Sequence, residues 1–318
     1  MAALSELTSI KRDKPKTERD KELQKKEAGR DNKAGYLFLL PWLIGLVVIV
    51  LGPMIASLYL SFTSYNLIQA PEWIGFENYA RMLEDPRLHN SLRVTFIYVF
   101  VSTPLQLALA LGIAMLLNEG MKGLAIYRSI FYLPSMLGSS VAIAVLWRQM
   151  FGTEGLVNQV LRLLGIDATT GWISDPQYAL STIILLHVWT FGSPMVIFLA
   201  GLRQIPGMYY EAAAVDGATW WTQFTKITLP LLSPIIFFNL VLQIIGAFQA
   251  FTQAFVVSGG TGGPSDSTMF YTLYLYQRGF GQFQMGYAAA MAWLLVVIIA
   301  VFTAINFFAS KYWVFYGD

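Results

Sequence analysis

Four side-chain amides fall within one apolar stretch of the chain: Asn239, Gln243, Gln249 and Gln253. On a continuous helix turning about 100° per residue they share an arc of roughly 120°, with Gly246 and Ala250 between them. An amide both donates and accepts hydrogen bonds, which suits the hydroxyls of a ligand such as a sugar. The same groups serve equally as hydrogen bonds between neighbouring helices, with small residues allowing close approach, and the pattern leaves both roles open. A second set, His187, Trp189, Gly192, Ser193 and Pro194, lies in another apolar stretch. Its Gly-Ser-Pro sequence is expected to loosen a helix and free carbonyls for a ligand. Trp189 offers a face to a pyranose ring or to a packing neighbour. His187 is expected to be a hydrogen-bonded interior residue.

Other chemistries find no support. The chain has no cysteine, and His89 and His187 are its only histidines, so neither a disulfide framework nor a metal or haem site is expected. No paired carboxylates, histidine cluster or nucleophile–base set falls inside an apolar stretch, which argues against an embedded enzyme. The Gly-rich run SGGTGGPSDST from Ser258 lacks the Gly-Lys-Ser/Thr ending of a phosphate-cradling loop, and no such ending occurs elsewhere. No cofactor bound by this chain is expected, and any use of ATP must come from another subunit. A net charge of +2 points to no nucleic-acid partner.

The elements that carry these residues are membrane helices. Of 318 residues, 56% are hydrophobic and 13% charged, against roughly 25% charged in soluble domains. No Asp, Glu, Lys or Arg occurs between Arg278 and Lys311, and such a block is long enough to cross a bilayer core. Six spans are expected, at about 37–60, 95–117, 127–150, 179–201, 230–254 and 285–309. The amides lie on the fifth and the Gly-Ser-Pro set on the fourth. Residues 1–35 hold ten Lys/Arg, seven Asp/Glu and no aromatic residue, the composition of a flexible charged tail. No cleavable signal peptide is read. The basic tail places the N-terminus, and with six spans the C-terminus, in the cytoplasm. Beyond the tail, basic residues are divided almost evenly between the two sides, so the tail decides.

Between the fourth and fifth spans, the segment at about 205–230 contains EAAAVDGATWWTQFTKITLP. Residues 206–215 read as a short helix with Pro206 in its first turn. Asp216-Gly217 ends it, and Thr219 caps a second short helix from Trp220. Glu211, Ala212, Ala213, Gly217, Ile227, Leu229 and Pro230 meet, at every position, the EAA loop pattern of bacterial ABC importer permeases, which this segment resembles. The stretches LAGLRQIPGMYYEAA, GGTGGPSDSTMFYTLYLYQRGF and KYWVFYGD are similar to the maltose and glycerol-phosphate type permeases, and among them to the first of the two permease chains. The resemblance covers roughly residues 36–318.

The resemblance implies an all-α integral membrane fold of six core helices in the bacterial inner membrane, with a cytoplasmic coupling loop. Glu211, Ala212, Ala213, Asp216, Gly217, Ile227, Leu229 and Pro230 would engage an ATPase subunit. A homologous second permease forming a heterodimer, two ATPase subunits carrying ATP and magnesium, and an external binding protein delivering a sugar are the implied partners. Substrate contacts would come from Trp189, Gly192, Ser193, Asn239, Gln243, Gly246, Gln249 and Gln253. Ala247 and Ala250 occupy places where a maltose-type permease has polar groups, so the resemblance leaves the identity of the sugar open. A polyamine path would want acidic residues in the spans, and a secondary transporter would want ionisable groups and an inverted repeat; none is apparent.

Overall fold

A computed structural model of the chain describes residues 36–120, 123–138, 140–166 and 169–315. The expected tail over 1–35 lies outside these residues. The described residues up to Tyr59 and those from Leu60 onward form two separate compact units. The first contains most of α1 (Tyr36–Ser61), a long apolar helix that widens to a π-helical turn at Leu46–Leu51. The Gly52 N–H reaches back five residues to the Val47 carbonyl, and Pro53, which has no N–H to donate, follows directly.

The second unit opens with a short antiparallel hairpin, β1 (Thr63–Ser64) and β2 (Glu72–Trp73), and a surface helix, α2 (Glu77–Glu84). Helix α3 (Pro86–Asn118) follows, then α4 (Leu124–Leu137), α5 (Val141–Met150) and α6 (Leu156–Leu163). Next come α7 (Ala179–Trp189), α8 (Gly192–Leu202) and α9 (Gly207–Val215). Helix α10 (Trp220–Phe248) includes a π-helical turn at Phe224–Thr228. Helices α11 (Thr252–Val257), α12 (Tyr271–Tyr276) and α13 (Met285–Trp313) complete the unit.

Among the described residues, four helices are long and apolar enough to cross a bilayer: α1, α3, α10 and α13. The pairs α4–α5 and α7–α8 make six if each is one bent span, the first meeting at 94° and the second at 41°. Three of the expected spans therefore change shape. The second begins at Pro86 rather than near residue 95, because Asp85 caps it. The third is two helices and not one. The fifth ends at Phe248, where the Gln249 and Ala250 N–H groups tighten onto the carbonyls of Gly246 and Ala247, and α11 restarts after the break.

Helix α3 is the central strut, packed against α7, α8 and α10. Two hydrophobic clusters lie along it. One gathers Leu88, Val94, Tyr98 and Val99 with Phe248, Phe270, Tyr271 and Met291. The other gathers Leu107, Ala110, Ala114 and Leu117 with Met195, Phe198, Leu199 and Leu232. Between these stretches, α3 turns buried polar residues inward: Ser102, Thr103 and Gln106. A polar layer thus interrupts an apolar bundle at mid-span.

Candidate functional site

The polar layer is organised by the break between α7 and α8. Gln106 Nε2 donates to the His187 carbonyl at 3.0 Å, the Thr190 carbonyl at 3.1 Å and Thr190 Oγ1 at 3.0 Å. Ser135 Oγ donates to the Thr190 carbonyl at 2.8 Å and accepts the Ser193 N–H at 2.9 Å. Side chains of α3 and α4 thereby take up backbone groups that the break releases, the requirement for any interrupted helix in a bilayer. The break falls at Thr190–Phe191, directly before Gly-Ser-Pro, and Gly192–Pro194 form the first turn of α8.

A cavity of about 220 Å³ opens at this level, where four of the expected spans converge. Tyr98 comes from α3, Ser135 and Gly138 from α4 and its end, and His187 and Thr190 from the broken span. Gln243 and Gly246 come from α10, Ala250 from the break after it and Gln253 from α11. The wall offers hydroxyls, amides, an imidazole and a phenol ring, and no charged side chain. His187 Nε2 and Gln106 Oε1 are enclosed without a hydrogen-bond partner among the described residues. Gln253 Nε2 donates to the Gly138 carbonyl at 3.3 Å, and the Tyr98 and His187 rings meet edge to face at 5.4 Å.

Three of the eight expected substrate residues, Gln243, Gly246 and Gln253, line this cavity; the other five do not. Asn239 is buried and its amide donates to the Ile235 carbonyl one turn back on its own helix, at 3.1 Å. Gln249 stands beyond the end of α10 and lines a groove with Val296, Thr303 and Phe307 of α13. The amide arc assumed a helix running on to residue 254, and its end at Phe248 splits the set. Trp189 packs on Trp147, ring centroids 5.9 Å apart. Gly192 is a contact point: a Cβ there would stand 2.6 Å from the Phe131 carbonyl oxygen. Ser193 lines a different cavity, beside Arg128. His187 faces the cavity instead of being a fully hydrogen-bonded interior residue. Tyr98, Ser135 and Thr190 join the cavity wall without a sequence signal of their own, since lone hydroxyls in apolar spans carry no pattern; Gln106, an amide amid Ser102 and Thr103, is the nearest available signal.

At the end of the bundle where α3 finishes, the 205–230 segment folds much as its residues dictate. Pro206 precedes α9 as its N-cap rather than sitting in its first turn. Gly217 takes φ +75°, and the N–H groups of Gly217 and Ala218 reach back to the carbonyls of Ala214 and Ala213 at 3.1 and 2.9 Å. That pair of bonds closes a helix with a left-handed glycine. Thr219 Oγ1 accepts the Thr222 N–H at 3.3 Å as expected of a cap. The second helix is not short, however. It runs through the π turn into α10: the Leu229 N–H reaches back five residues to the Phe224 carbonyl, and Pro230 follows with no N–H. Tyr210 and Thr228 share a hydrogen bond of 3.0 Å that ties α9 to this turn. Glu211, Ala212, Asp216 and Gly217 are exposed, whereas Ala213, Ile227, Leu229 and Pro230 are half-buried. Met208 and Val215 also face outward, 67% and 88% exposed.

Residues 80–312 match the family model described as binding-protein-dependent transport system inner membrane component. The chain belongs to this family of ABC transporter permeases. A probable ABC transporter permease of Bacillus subtilis, YesP, is 54% identical to the permease over 90% of this chain and 93% of its own length. The lactose transport system permease LacF of Rhizobium radiobacter is 33% identical over 87% and 94%. The fold is that of a chain in a bacterial alginate ABC transporter solved with an alginate pentasaccharide-bound periplasmic protein, with a TM-score of 0.74 and 24% identity over 90% of the permease and 96% of that chain. The permease is thus an all-α integral protein of the inner membrane.

Proposed function

We propose that the permease forms one half of a heterodimeric pathway through which a sugar or oligosaccharide enters the cell, driven by two partner ATPase subunits. Those subunits hold ATP and magnesium; this chain hydrolyses nothing. An external binding protein delivers the sugar, consistent with the family's description and with the lactose and starch-product transport named for its relatives.

The observation that carries the reading is the uncharged polar cavity at the four-span junction. Amides and hydroxyls of Gln243, Gln253, Ser135 and Thr190 match sugar hydroxyls, and the Tyr98 ring offers an apolar face to a pyranose. A polyamine would need carboxylates there, and none lines the cavity. At about 220 Å³ the cavity is smaller than the roughly 300–1,000 Å³ of pockets for drug-sized ligands, so it takes about one ring, the rest of the ligand reaching toward the second permease.

Transport follows from alternating access. Helix α9, with Glu211 and the small Ala212 on its exposed side, docks on an ATPase subunit. Because Gly217 turns the chain directly into α10, and Tyr210–Thr228 ties the two, displacement of α9 moves the helix that carries Gln243 and Gly246. The two ATPases thereby shift the balance between two packings of the bundle.

The test uses the assembled transporter in proteoliposomes. Gln243→Leu with Gln253→Leu should lower the stimulation of ATP hydrolysis by loaded binding protein at least tenfold, with assembly unchanged, while Gln249→Leu should leave it intact. Unaltered substrate dependence in the double variant would move the sugar contacts into the partner permease. Glu211→Arg or Gly217→Val should abolish uptake while membrane insertion is retained, and full transport in both would remove the coupling role from α9.

A further inference from the structure

Arg128 stands four residues into α4, about 6 Å along the helix from its first residue. Its guanidinium faces a cavity of about 430 Å³ between α4 and α8, which Ser129, Tyr132 and Ser193 line with hydroxyls and Val196 and Ile197 with apolar surface. Arg128 Nε is enclosed without a hydrogen-bond partner among the described residues, and none of the ion pairs found there includes Arg128. No carboxylate lines the cavity. A half-buried cation in a membrane-spanning unit, with no anion beside it among the described residues, calls for an anion from outside the chain.

We infer that this cavity binds the phosphate of an anionic phospholipid. Depth favours that occupant, because the first turns of a span lie at headgroup level, and basic pockets between membrane helices take acidic headgroups. The guanidinium fork matches phosphate oxygens in pairs. Around it, Ile126, Ile130 and Leu133 of α4 are exposed, giving the acyl chains an apolar surface. A carboxylate on the transported sugar is the competing anion. The bridge from the Ser193 N–H through Ser135 Oγ to the Thr190 carbonyl stands between this cavity and the sugar cavity. The inference rests on membrane placement alone and survives if the sugar assignment fails.

Native mass spectrometry of the detergent-purified complex tests it. The wild-type complex should carry phosphatidylglycerol or cardiolipin, Arg128→Gln should lose most of that lipid, and Arg128→Lys should retain an intermediate amount. Arg203→Gln, at the end of α8 and outside the cavity, should retain it in full. In vesicles, ATP hydrolysis by wild type should rise severalfold when phosphatidylglycerol is added to phosphatidylcholine, and Arg128→Gln should not respond. Equal lipid retention by wild type and Arg128→Gln would overturn the assignment. So would a loss confined to the uptake of acidic oligosaccharides with the lipid response intact, which would give the cavity to substrate.

Discussion

Asp85 holds together the end of the bundle where α3 begins. One carboxylate oxygen accepts the N–H groups of Arg87 and Leu88 at 3.1 and 3.2 Å and caps α3. The other receives Tyr274 at 2.6 Å, Tyr287 at 2.9 Å and Arg278 at 3.0 Å. Burial alone would raise the Asp85 pKa, but hydrogen bonds from Tyr274, Tyr287 and the Leu88 N–H, with the charge of Arg278, hold it below the ordinary value. Tyr274 is pushed up to about 12, by burial first and then by its bond to this carboxylate. A depressed carboxylate pKa contributes stability that is fully present above the unfolded value near about pH 4 and is lost as pH falls through the folded value. Asp85→Asn keeps the shape but leaves Arg278, 17% exposed, without its anion. Breaking a fully buried pair costs about 3–5 kcal/mol; the partial exposure of Arg278 brings the expected loss to about 2–3 kcal/mol. Thermal inactivation of the purified complex should therefore come at lower temperature, and the acid-induced loss of stability contributed by Asp85 should be absent from the variant. An unchanged acid profile would show that the carboxylate contributes nothing there. The pairing was not legible in the sequence, because 193 positions separate the partners and each alone reads as a surface charge.

Among the elements, legibility followed the kind of signal. Long uncharged runs gave α1, α3, α10 and α13, and capping chemistry gave α9 and the turn at Gly217, because those signals are local. The interruptions were harder. Breaks at Thr190–Phe191 and Gln249–Phe251 depend on which side chain of another helix can take the released backbone groups, and that is settled by packing. Two glycines separate the consequences. At Gly192 a Cβ would meet the α4 backbone at 2.6 and 2.7 Å, so Gly192→Ala should push α8 off α4 and lower stability by about 1–3 kcal/mol. At Gly246 no heavy atom lies within 4 Å of a Cβ, although the residue lines the cavity at the four-span junction. Gly246→Ala should leave thermal stability unchanged and raise severalfold the concentration of loaded binding protein needed for half-maximal ATPase stimulation. If both variants lost stability equally, α10 would be packed where the cavity is placed.

At the largest scale, the unit from Leu60 onward has two chemically different ends. One carries the β1–β2 hairpin, α2, the Asp85 cluster and the Gly-rich turn, where the Arg87–Asp266 ion pair joins α3 to the chain ahead of α12. The other carries the finish of α3, the α9 turn and the end of α13, where the Phe315 N–H meets Ser233 on α10. Lys226 and Lys311 both belong to this second end, and the proposed coupling requires that end to face the cytoplasm. Orientation is the premise on which coupling stands, since an ATPase reaches α9 only from the cytoplasm. The chain has no cysteine, so single thiols can be placed without altering any native one. Gln69, in the hairpin, and Val215, at the end of α9, are both exposed. In intact cells a membrane-impermeant maleimide should label the Gln69→Cys protein at once and the Val215→Cys protein only after permeabilisation. The opposite pattern would put α9 on the outer side, beyond the reach of any nucleotide-driven subunit, and the cycle of ATP hydrolysis would need another route into the bundle.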